Sequence, residues 1–564
     1  MRRIKFWLCC LFLLPCILSV GQQKEKRDNR PNIVIILADD MGYSDIGCYG
    51  GEIETPNIDM LAKNGLRFSQ FYNASRCCPT RASLLTGLYS HQAGIGNMSF
   101  DQQTPGYRGY LTENTVTLAE LLKKGGYSTG MVGKWHVANT NVKEPKSEQI
   151  AWLNHQKDYE QFAPLEQYPT SRGFDKYYGT IWGVVNFFDP FSLVNGTAPV
   201  KEVPGDYYYT DALNDSASAY IKQFSSKDQP FFLYVAHTAP HWPLQALPGD
   251  IKKYEEVYKV GWDAIRERRY QKMIDQGLFP ADKNILSPRW AQERKWEENP
   301  NKDWDAYAMA VRAAMIDRMD QGIGRIIETL RATGELDNTL IFFLSDNGAS
   351  SDDAQKYGPG LDRPGGTRDG REIVYPVDKK ILPGPETTFA STDNMWGNAA
   401  NTPFRYWKVN SYEGGICTPL VAHWPTGIKA GKGSVTNQVG HVIDFMATVS
   451  ELAGVAYPQK LNGHKITPVE GQSLVPVLKG QERKGHEYLF FEHLNGKAVR
   501  YGDWKLVSLN AKSNWELYNI REDRTELHDL SAQYPELVEK LKTKWMEWAK
   551  QNHVLPKPGI KSKE

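Results

Sequence analysis

The stretch Asn32-Ile33-Val34-Ile35-Ile36-Leu37-Ala38, followed at once by Asp39-Asp40, decides the fold. A continuous apolar run of this kind reads as a strand buried on both faces, as in parallel sheets covered by helices. The turn at its carboxyl end carries two carboxylates. The same grammar recurs downstream. A strand over 127–132 ends in Gly133-Lys134-Trp135-His136, and Phe231–Ala236 runs into His237-Thr238-Ala239-Pro240-His241-Trp242-Pro243. A third, over 340–344, delivers Ser345-Asp346-Asn347-Gly348. Between them lie helical patterns. Thr117-Leu118-Ala119-Glu120 is a capping box closed by Gly125-Gly126. Val311, Met315, Met319, Ile323, Ile326, Ile327 and Leu330 share one face of a helix over 304–330, with Gly334 as its stop. Alternating strands and helices predict an α/β sheet, in which ligands gather beyond the carboxyl ends of the strands.

The length of 564 residues exceeds what one core usually supports, so a large domain with a smaller companion is expected. We place a large α/β domain over 30–455 and a small α+β domain over 456–555. Near Gly454 the alternation stops, and short strands over 488–492, 497–500 and 504–507 follow at hairpin spacing. A last amphipathic helix runs from about Pro535 to Gln551, with Leu537, Leu541, Trp545 and Trp548 on one side. The lysine- and proline-rich tail after His553 is expected to be frayed.

Arg2, Arg3 and Lys5 precede an apolar run over 6–20, and Ser19-Val20-Gly21 resembles a small-residue cleavage site. This predicts an export signal over 1–21, hence an exported protein, periplasmic or secreted if bacterial. No later segment is apolar enough to span a bilayer, so no transmembrane span is expected in the mature chain. Removing the signal leaves Cys48, Cys77, Cys78 and Cys417, too few for a disulfide scaffold. Cys48 and Cys417 are compatible with either a bridge or two free thiols. Lys+Arg total 67 against 66 Asp+Glu, which leaves no global field to attract nucleic acid; any anion must meet locally placed cations.

Cys77-Cys78-Pro79-Thr80-Arg81-Ala82-Ser83-Leu84-Leu85-Thr86-Gly87 reads as a short helix with Cys77 at its mouth, Pro79 in its first turn and Gly87 at its end. Unpaired N–H groups and the positive end of the helix meet there. That contributes at most about 2 kcal/mol toward a bound anion, whereas enzymatic acceleration needs roughly 8 to 23 kcal/mol, so further groups are required. Asp39, Asp40, Asp346 and Asn347 offer only oxygen ligands, which suits a hard divalent cation; a flexible site without an octahedral cage favours Ca²⁺ over Mg²⁺.

The C-x-P-x-R pattern with its Leu-Thr-Gly ending resembles the sulfatase signature. LADDMGYSD, FLSDNG, GMVGKWH, PHWPLQ and the stretch from Lys408 to Glu413-Gly414-Gly415 resemble further motifs of that family in the expected order, over about 31–425. The resemblance implies an alkaline-phosphatase-like α/β fold: a large mixed sheet sandwiched by helices, with a smaller C-terminal antiparallel sheet packed with one helix. It implies one Ca²⁺ ion held by Asp39, Asp40, Cys77, Asp346 and Asn347. It further implies that a host maturation enzyme oxidises Cys77 to formylglycine, whose hydrate is the nucleophile and leads to a covalent sulfoenzyme intermediate. Arg81 then steadies the hydrate, His136 hydrogen-bonds it and later removes its proton, and Asp346 is the base for the first attack. His241, preferred to His237, protonates the leaving oxygen, while Lys134 and Lys408 hold sulfate oxygens. The layout is most similar to bacterial arylsulfatases, so the expected partner is a sulfated small molecule or sulfated carbohydrate. Two alternatives stand beside it: a phosphomonoesterase or phosphodiesterase of the same architecture, and a catalytically silent glycan-binding relative. The segments 139–201 and 244–305, with Trp152, Tyr177, Tyr178, Trp182, Phe187, Phe188 and Trp262, are expected to shape the substrate pocket.

Overall fold

The computed structural model describes residues 28–558 apart from 281, 283–284, 290–293 and 376. The expected export signal over 1–21 lies outside the described residues. Ten strands form the main sheet: β1 (Asn32–Ala38), β2 (Leu66–Phe68), β3 (Ser128–Gly133), β4 (Lys176–Thr180), β5 (Leu193–Asn195), β6 (Ala198–Pro199), β7 (Phe231–Ala236), β8 (Thr339–Ser345), β9 (Leu420–His423) and β10 (Ser434–Thr436). Their order across the sheet is β10-β2-β9-β8-β1-β7-β3-β4-β5-β6. The five central strands β8, β1, β7, β3 and β4 are parallel, and β9 and β5 join them antiparallel.

Register places the chemistry. Leu37 lies opposite Ala236, Ala38 opposite Ser345, and Gly133 opposite Ala236. Four strands therefore finish level, and the residues that follow them, Asp39, Asp346, His237 and Lys134, emerge on one rim. Because side chains alternate along a strand, the sheet supplies two cores. Ile33, Ile35, Leu37, Phe342 and Leu344 pack against α1 (Cys77–Thr86), α2 (Leu118–Lys124) and, through Phe445 and Val449, α5 (Asp444–Ala453). Val34, Ile36, Val235 and Phe343 pack against α3 (Tyr209–Ser225) and α4 (Lys302–Ala332), whose stripe from Val311 to Leu330 is the one the sequence marks. The capping box forms, with Thr117 and Glu120 bonding each other's backbone, and Gly87 ends α1 in the left-handed region at φ 71°.

The last strands, β11 (Tyr488–His493), β12 (Gly496–Tyr501), β13 (Trp504–Ser508) and β14 (Glu516–Asn519), make an antiparallel sheet covered by α6 (Pro535–Gln551) through Leu541, Trp545 and Trp548. This sheet is fastened to the main body by buried charge. Lys505 Nζ lies 3.0 Å from Glu413 Oε1 and 2.7 Å from Glu526 Oε1, all three side chains fully buried, and Arg524 reaches Glu413 Oε2 at 3.2 Å. Residues 554–558, the described part of the tail, depart from the expectation of fraying; 559–564 lie outside the described residues. Val554 is buried, its carbonyl accepts from the Tyr107 hydroxyl at 2.9 Å, and Lys557 pairs with Glu492. Among the described residues all four cysteines are free, and no helix is long and apolar enough to cross a membrane.

Removing one member of a buried ion cluster strands the others. Lys505→Ala should therefore cost about 3–5 kcal/mol in urea unfolding, and a variant as stable as the parent would show that the seam is not held by this charge. A pH effect is expected at Glu492. Burial alone would raise its carboxyl, but His91 at 3.0 Å and Lys557 overcome this and hold it at about 2, below the ordinary 4.5. Its contribution to stability is present above about pH 4.5 and is lost as pH falls through about 2. Glu492→Gln should flatten the acid limb of the stability profile, measured by denaturant midpoints from pH 6 downward.

Candidate active site

The rim of the sheet collects carboxylates and cations in equal number. Asp39 is fully buried with Oδ2 2.5 Å from Lys134 Nζ and 3.6 Å from Arg81. Asp40 Oδ2 receives Lys408 Nζ at 2.8 Å, and its Oδ1 accepts from Asn347 Nδ2 at 2.7 Å. Asp346 Oδ2 takes the Arg81 guanidinium at 2.9 Å, and its Oδ1 accepts the Asp40 backbone N–H at 3.2 Å. Every residue of this set is at most 4% exposed. Burial would raise the Asp39 carboxyl, but Lys134, His241 and Arg81 hold it at about 2. Asp346 is pushed well above the usual carboxylate range by burial and by the neighbouring Asp39 charge.

Two acceptors in this nest have nothing to accept from: Asp39 Oδ1 and Asn347 Oδ1 are buried without a hydrogen-bond partner. A buried orphan acceptor costs about 1–3 kcal/mol, and two facing one acidic nest mark a place for a cation. The donor set is all oxygen, so the residues fit a hard divalent ion. Acidic groups of Asp39 and Asp40 and a ring nitrogen of His241 lie within 4.8 Å of one another, and so do the Cys77 and Cys78 sulfurs and a ring nitrogen of His136.

Cys77 opens α1 and is buried. Its thiol is held well below its ordinary pKa, first by a hydrogen bond with Cys78, then, against burial, by Lys134, His136 and Lys408. His136 is lowered to about 4 by burial, only partly countered by Cys77, so its ring is neutral at pH 7. His241 donates Nδ1–H to the Trp242 carbonyl at 2.6 Å, which turns Nε2 toward Asp40 Oδ2 at 3.5 Å. His237, at the level end of β7, is buried with neither ring nitrogen bonded, and burial lowers it to about 3.

The backbone is strained where the side chains must converge. Asp40 and His136 sit at φ 63° and 57°, and Val409, next to Lys408, at φ 79°, a conformation its branched side chain disfavours. Two anchors hold these turns: Val409 N–H donates to Ser75 O at 2.8 Å, and Lys408 N–H to Ala349 O at 3.1 Å. Gly183 makes room for His136, since a Cβ there would lie 2.1 Å from the imidazole ring.

All the residues singled out from sequence, Asp39, Asp40, Cys77, Arg81, Lys134, His136, His241, Asp346, Asn347 and Lys408, thus surround one rim. Several neighbours were not anticipated. Arg312 donates to the Asp40 carbonyl at 3.0 Å and to Asp45 Oδ2 at 2.7 Å, bracing the β1 turn from behind. Asp45 stands inside LADDMGYSD, so a signal for it existed; Arg312 is hidden in a helix face. Asp352 receives Trp242 Nε1 at 3.0 Å and Ser350 Oγ at 2.9 Å. The aromatic expectation is largely corrected. Trp152, Trp182, Tyr177, Phe187 and Trp262 are buried, Trp152 stacks on Phe162 at 5.6 Å, and Trp262 meets Trp296 at 4.6 Å, so they are core. Cavity size does not mark the site either: a cavity of about 880 Å³ beside Arg500 and Arg524 is lined by none of these residues.

The large mixed sheet sandwiched by helices, with its small antiparallel companion, is an alkaline-phosphatase-like architecture, and the cation-ringed acidic nest at its carboxyl rim suits an enzyme for anionic substrates. The sulfatase family model matches residues 31–455, and the model for the N-sulphoglucosamine sulphohydrolase C-terminal region matches 405–551. An uncharacterized sulfatase of Schizosaccharomyces pombe is 32% identical, covering 95% of this chain and 96% of its own. The arylsulfatase of Klebsiella aerogenes is 33% identical over 83% of this chain and 96% of its own. The crystal structure of Ps i-CgsB in complex with k-i-k-neocarrahexaose is similar with a TM-score of 0.63, at 26% identity and 93% coverage of both chains. The chain belongs to the sulfatase family and is a sulfuric ester hydrolase.

Gly183→Ala tests whether the His136 pocket is built to size. The variant should fold normally yet release sulfate from a model ester about 10²-fold more slowly, the cost typical of losing one positioned group. Unaltered turnover would show that His136 tolerates displacement.

Proposed function

We propose that this centre hydrolyses sulfate monoesters to alcohol or phenol and inorganic sulfate, through a formylglycine made from Cys77 and a single Ca²⁺ held by Asp39, Asp40, Asp346, Asn347 and residue 77. The observation that carries the reading is the charge balance at the rim. Three buried carboxylates, Asp39, Asp40 and Asp346, are matched by three buried cations, Arg81, Lys134 and Lys408. A divalent ion bound among these carboxylates leaves a surplus of positive charge, which the single negative charge of a sulfate ester partly offsets. When present, the ion supplies Lewis acidity, and the hydrated aldehyde supplies a nucleophilic hydroxyl and a second hydroxyl whose deprotonation expels sulfate.

The remaining work falls to side chains of this chain. Lys134 and Lys408 lie on Asp39 and Asp40, in reach of the space beside Cys77, and they hold sulfate oxygens once those carboxylates serve the ion. Arg81 fixes residue 77 against Asp346, and Asp346 accepts the first proton. His241, its Nδ1 fixed by the Trp242 carbonyl, offers Nε2 to protonate the departing oxygen, assisted by Lys408. His136 is neutral at working pH, as a proton acceptor for the second half-reaction must be.

Both substrate classes named among the relatives support a sulfated small molecule or sulfated carbohydrate. The arylsulfatase of Klebsiella aerogenes makes aryl sulfate the first assay substrate. N-acetylgalactosamine-6-sulfatases, at 26% identity, and the complex with k-i-k-neocarrahexaose favour a sulfated saccharide as the natural one. An exported, periplasmic or secreted location, reached after maturation by the host's formylglycine-generating enzyme, is consistent with such a polymer substrate.

The test joins mass spectrometry to a metal readout. The peptide containing Cys77 from active protein should be lighter than the unmodified sequence, and Cys77→Ala should release no sulfate from nitrophenyl sulfate. Chelation should lower Tm as well as activity, with Ca²⁺ restoring both; saturation at 100 times Kd corresponds to about 2.7 kcal/mol. Unmodified Cys77 in fully active protein, or hydrolysis of phosphate esters alone, would overturn the reading.

A further inference from the structure

Arg76 precedes the reacting residue and caps α1 in an extended conformation. It is half-buried, and among the described residues its side chain has no hydrogen-bond or ion-pair partner; its Nε is buried without an acceptor. Desolvating a guanidinium without compensation is costly, so an arginine left this way is poised for an anion that arrives. The cations of the reaction centre are different in kind, since Arg81, Lys134 and Lys408 are each already paired with a carboxylate.

The surroundings locate Arg76 at the mouth rather than in the nest. Ser75 accepts from the Val409 N–H at 2.8 Å, which sets Arg76 beside Lys408. Asp352, whose charge acts on Arg76, is tied through Oδ2 to Trp242 Nε1 and Ser350 Oγ, while among the described residues Oδ1 has no hydrogen-bond partner. Trp242 packs on His241 at 4.9 Å and on the exposed ring of Tyr357 at 5.8 Å. Against burial, the Cys77 thiol and the Asp352 and Asp40 carboxylates raise Arg76; it in turn acts on Lys408, Tyr357 and the buried His493 of β11. Asp352 makes no direct ion pair with Arg76, although each charge acts on the other.

Resting on the sulfatase reading above, we propose that Arg76 determines specificity: it takes a second anionic group, a carboxylate or a second sulfate, on the saccharide whose sulfate ester is cleaved. The exposed ring of Tyr357, backed by the buried Trp242, offers a sugar face to stack on, and Asp352 Oδ1 offers an acceptor for a sugar hydroxyl. Doubly anionic sulfated saccharides are then preferred over singly charged ones.

The experiment compares kcat/KM for a disulfated or uronate-bearing sulfated disaccharide, its singly sulfated neutral counterpart and nitrophenyl sulfate, in the parent, Arg76→Ala and Arg76→Lys. The expected result is a parent that prefers the doubly anionic sugar. In Arg76→Ala the ratio of doubly to singly anionic turnover falls about 10- to 100-fold, the loss of one charge-assisted contact. Arg76→Lys recovers part of it. Thermal melts of each variant separate this from misfolding, because a folding defect lowers all three substrates together. An unchanged ratio, or equal loss on every sulfate ester, overturns the proposal, the latter because Arg76 would then serve the reacting sulfate. Absence of sulfate release by the matured parent on all substrates overturns the underlying reading as well, so the two failures are distinguishable.

Discussion

The constraint on which the rest depends is the crowding of three carboxylates in a dry place. Asp39, Asp40 and Asp346 are at most 2% exposed and come from two adjacent parallel strands that end at the same level. Burying even one carboxylate costs several kcal/mol unless it is paired and hydrogen-bonded. Arg81 from α1, Lys134 from the end of β3 and Lys408 from the loop before β9 meet that demand, each from a different part of the chain. The α/β architecture is what makes this possible, because only in-register strand ends bring residues more than 300 positions apart to one point. The strained turns at Asp40, His136 and Val409 follow from the same demand, since the side chains must face inward from chains that are leaving the sheet.

Most of the fold was legible because burial on both faces writes itself as unbroken apolar runs. β1, β7 and β8 could be read to within a residue, and the polar residue after each one pointed at the rim. The capping box of α2 and the stripe of α4 were equally plain, because both depend on local spacing. What was not legible is whatever depends on partners far away in the chain. Trp152 and Trp182 look the same in sequence whether they line a pocket or pack on Phe162 and Phe191; only tertiary packing distinguishes these. β14 is short and polar enough to pass for a loop. The start of the tail, 554–558, was misread because its composition suggests solvent, whereas Glu492 and Tyr107 hold it down.

The site shows the same division. Its reacting groups carry local motifs, and each stands at a strand or helix end where function is expected. Residues that brace or flank them, such as Arg312 on a helix face and Asp352 in a long connection, have no motif. Arg76 is an intermediate case. Its position next to Cys77 was visible, but its lack of a partner is a property of the folded chain alone.

The buried seam between the two sheets sets an order of events during synthesis. Lys408 reaches its place through a loop that continues into Glu413, and Glu413 is neutralised by Lys505 and Arg524 from near the end of the chain. His493, which feels the Arg76 charge, comes from the same late region. A ribosome that has released the first 455 residues has made every group of the acidic nest, yet the wall that steadies one of its three cations is still in the exit tunnel or unmade. Pairings this distant in sequence close slowly. The centre is therefore among the last parts of the molecule to become rigid, and a nascent chain that has already closed its main sheet is not yet an organised enzyme.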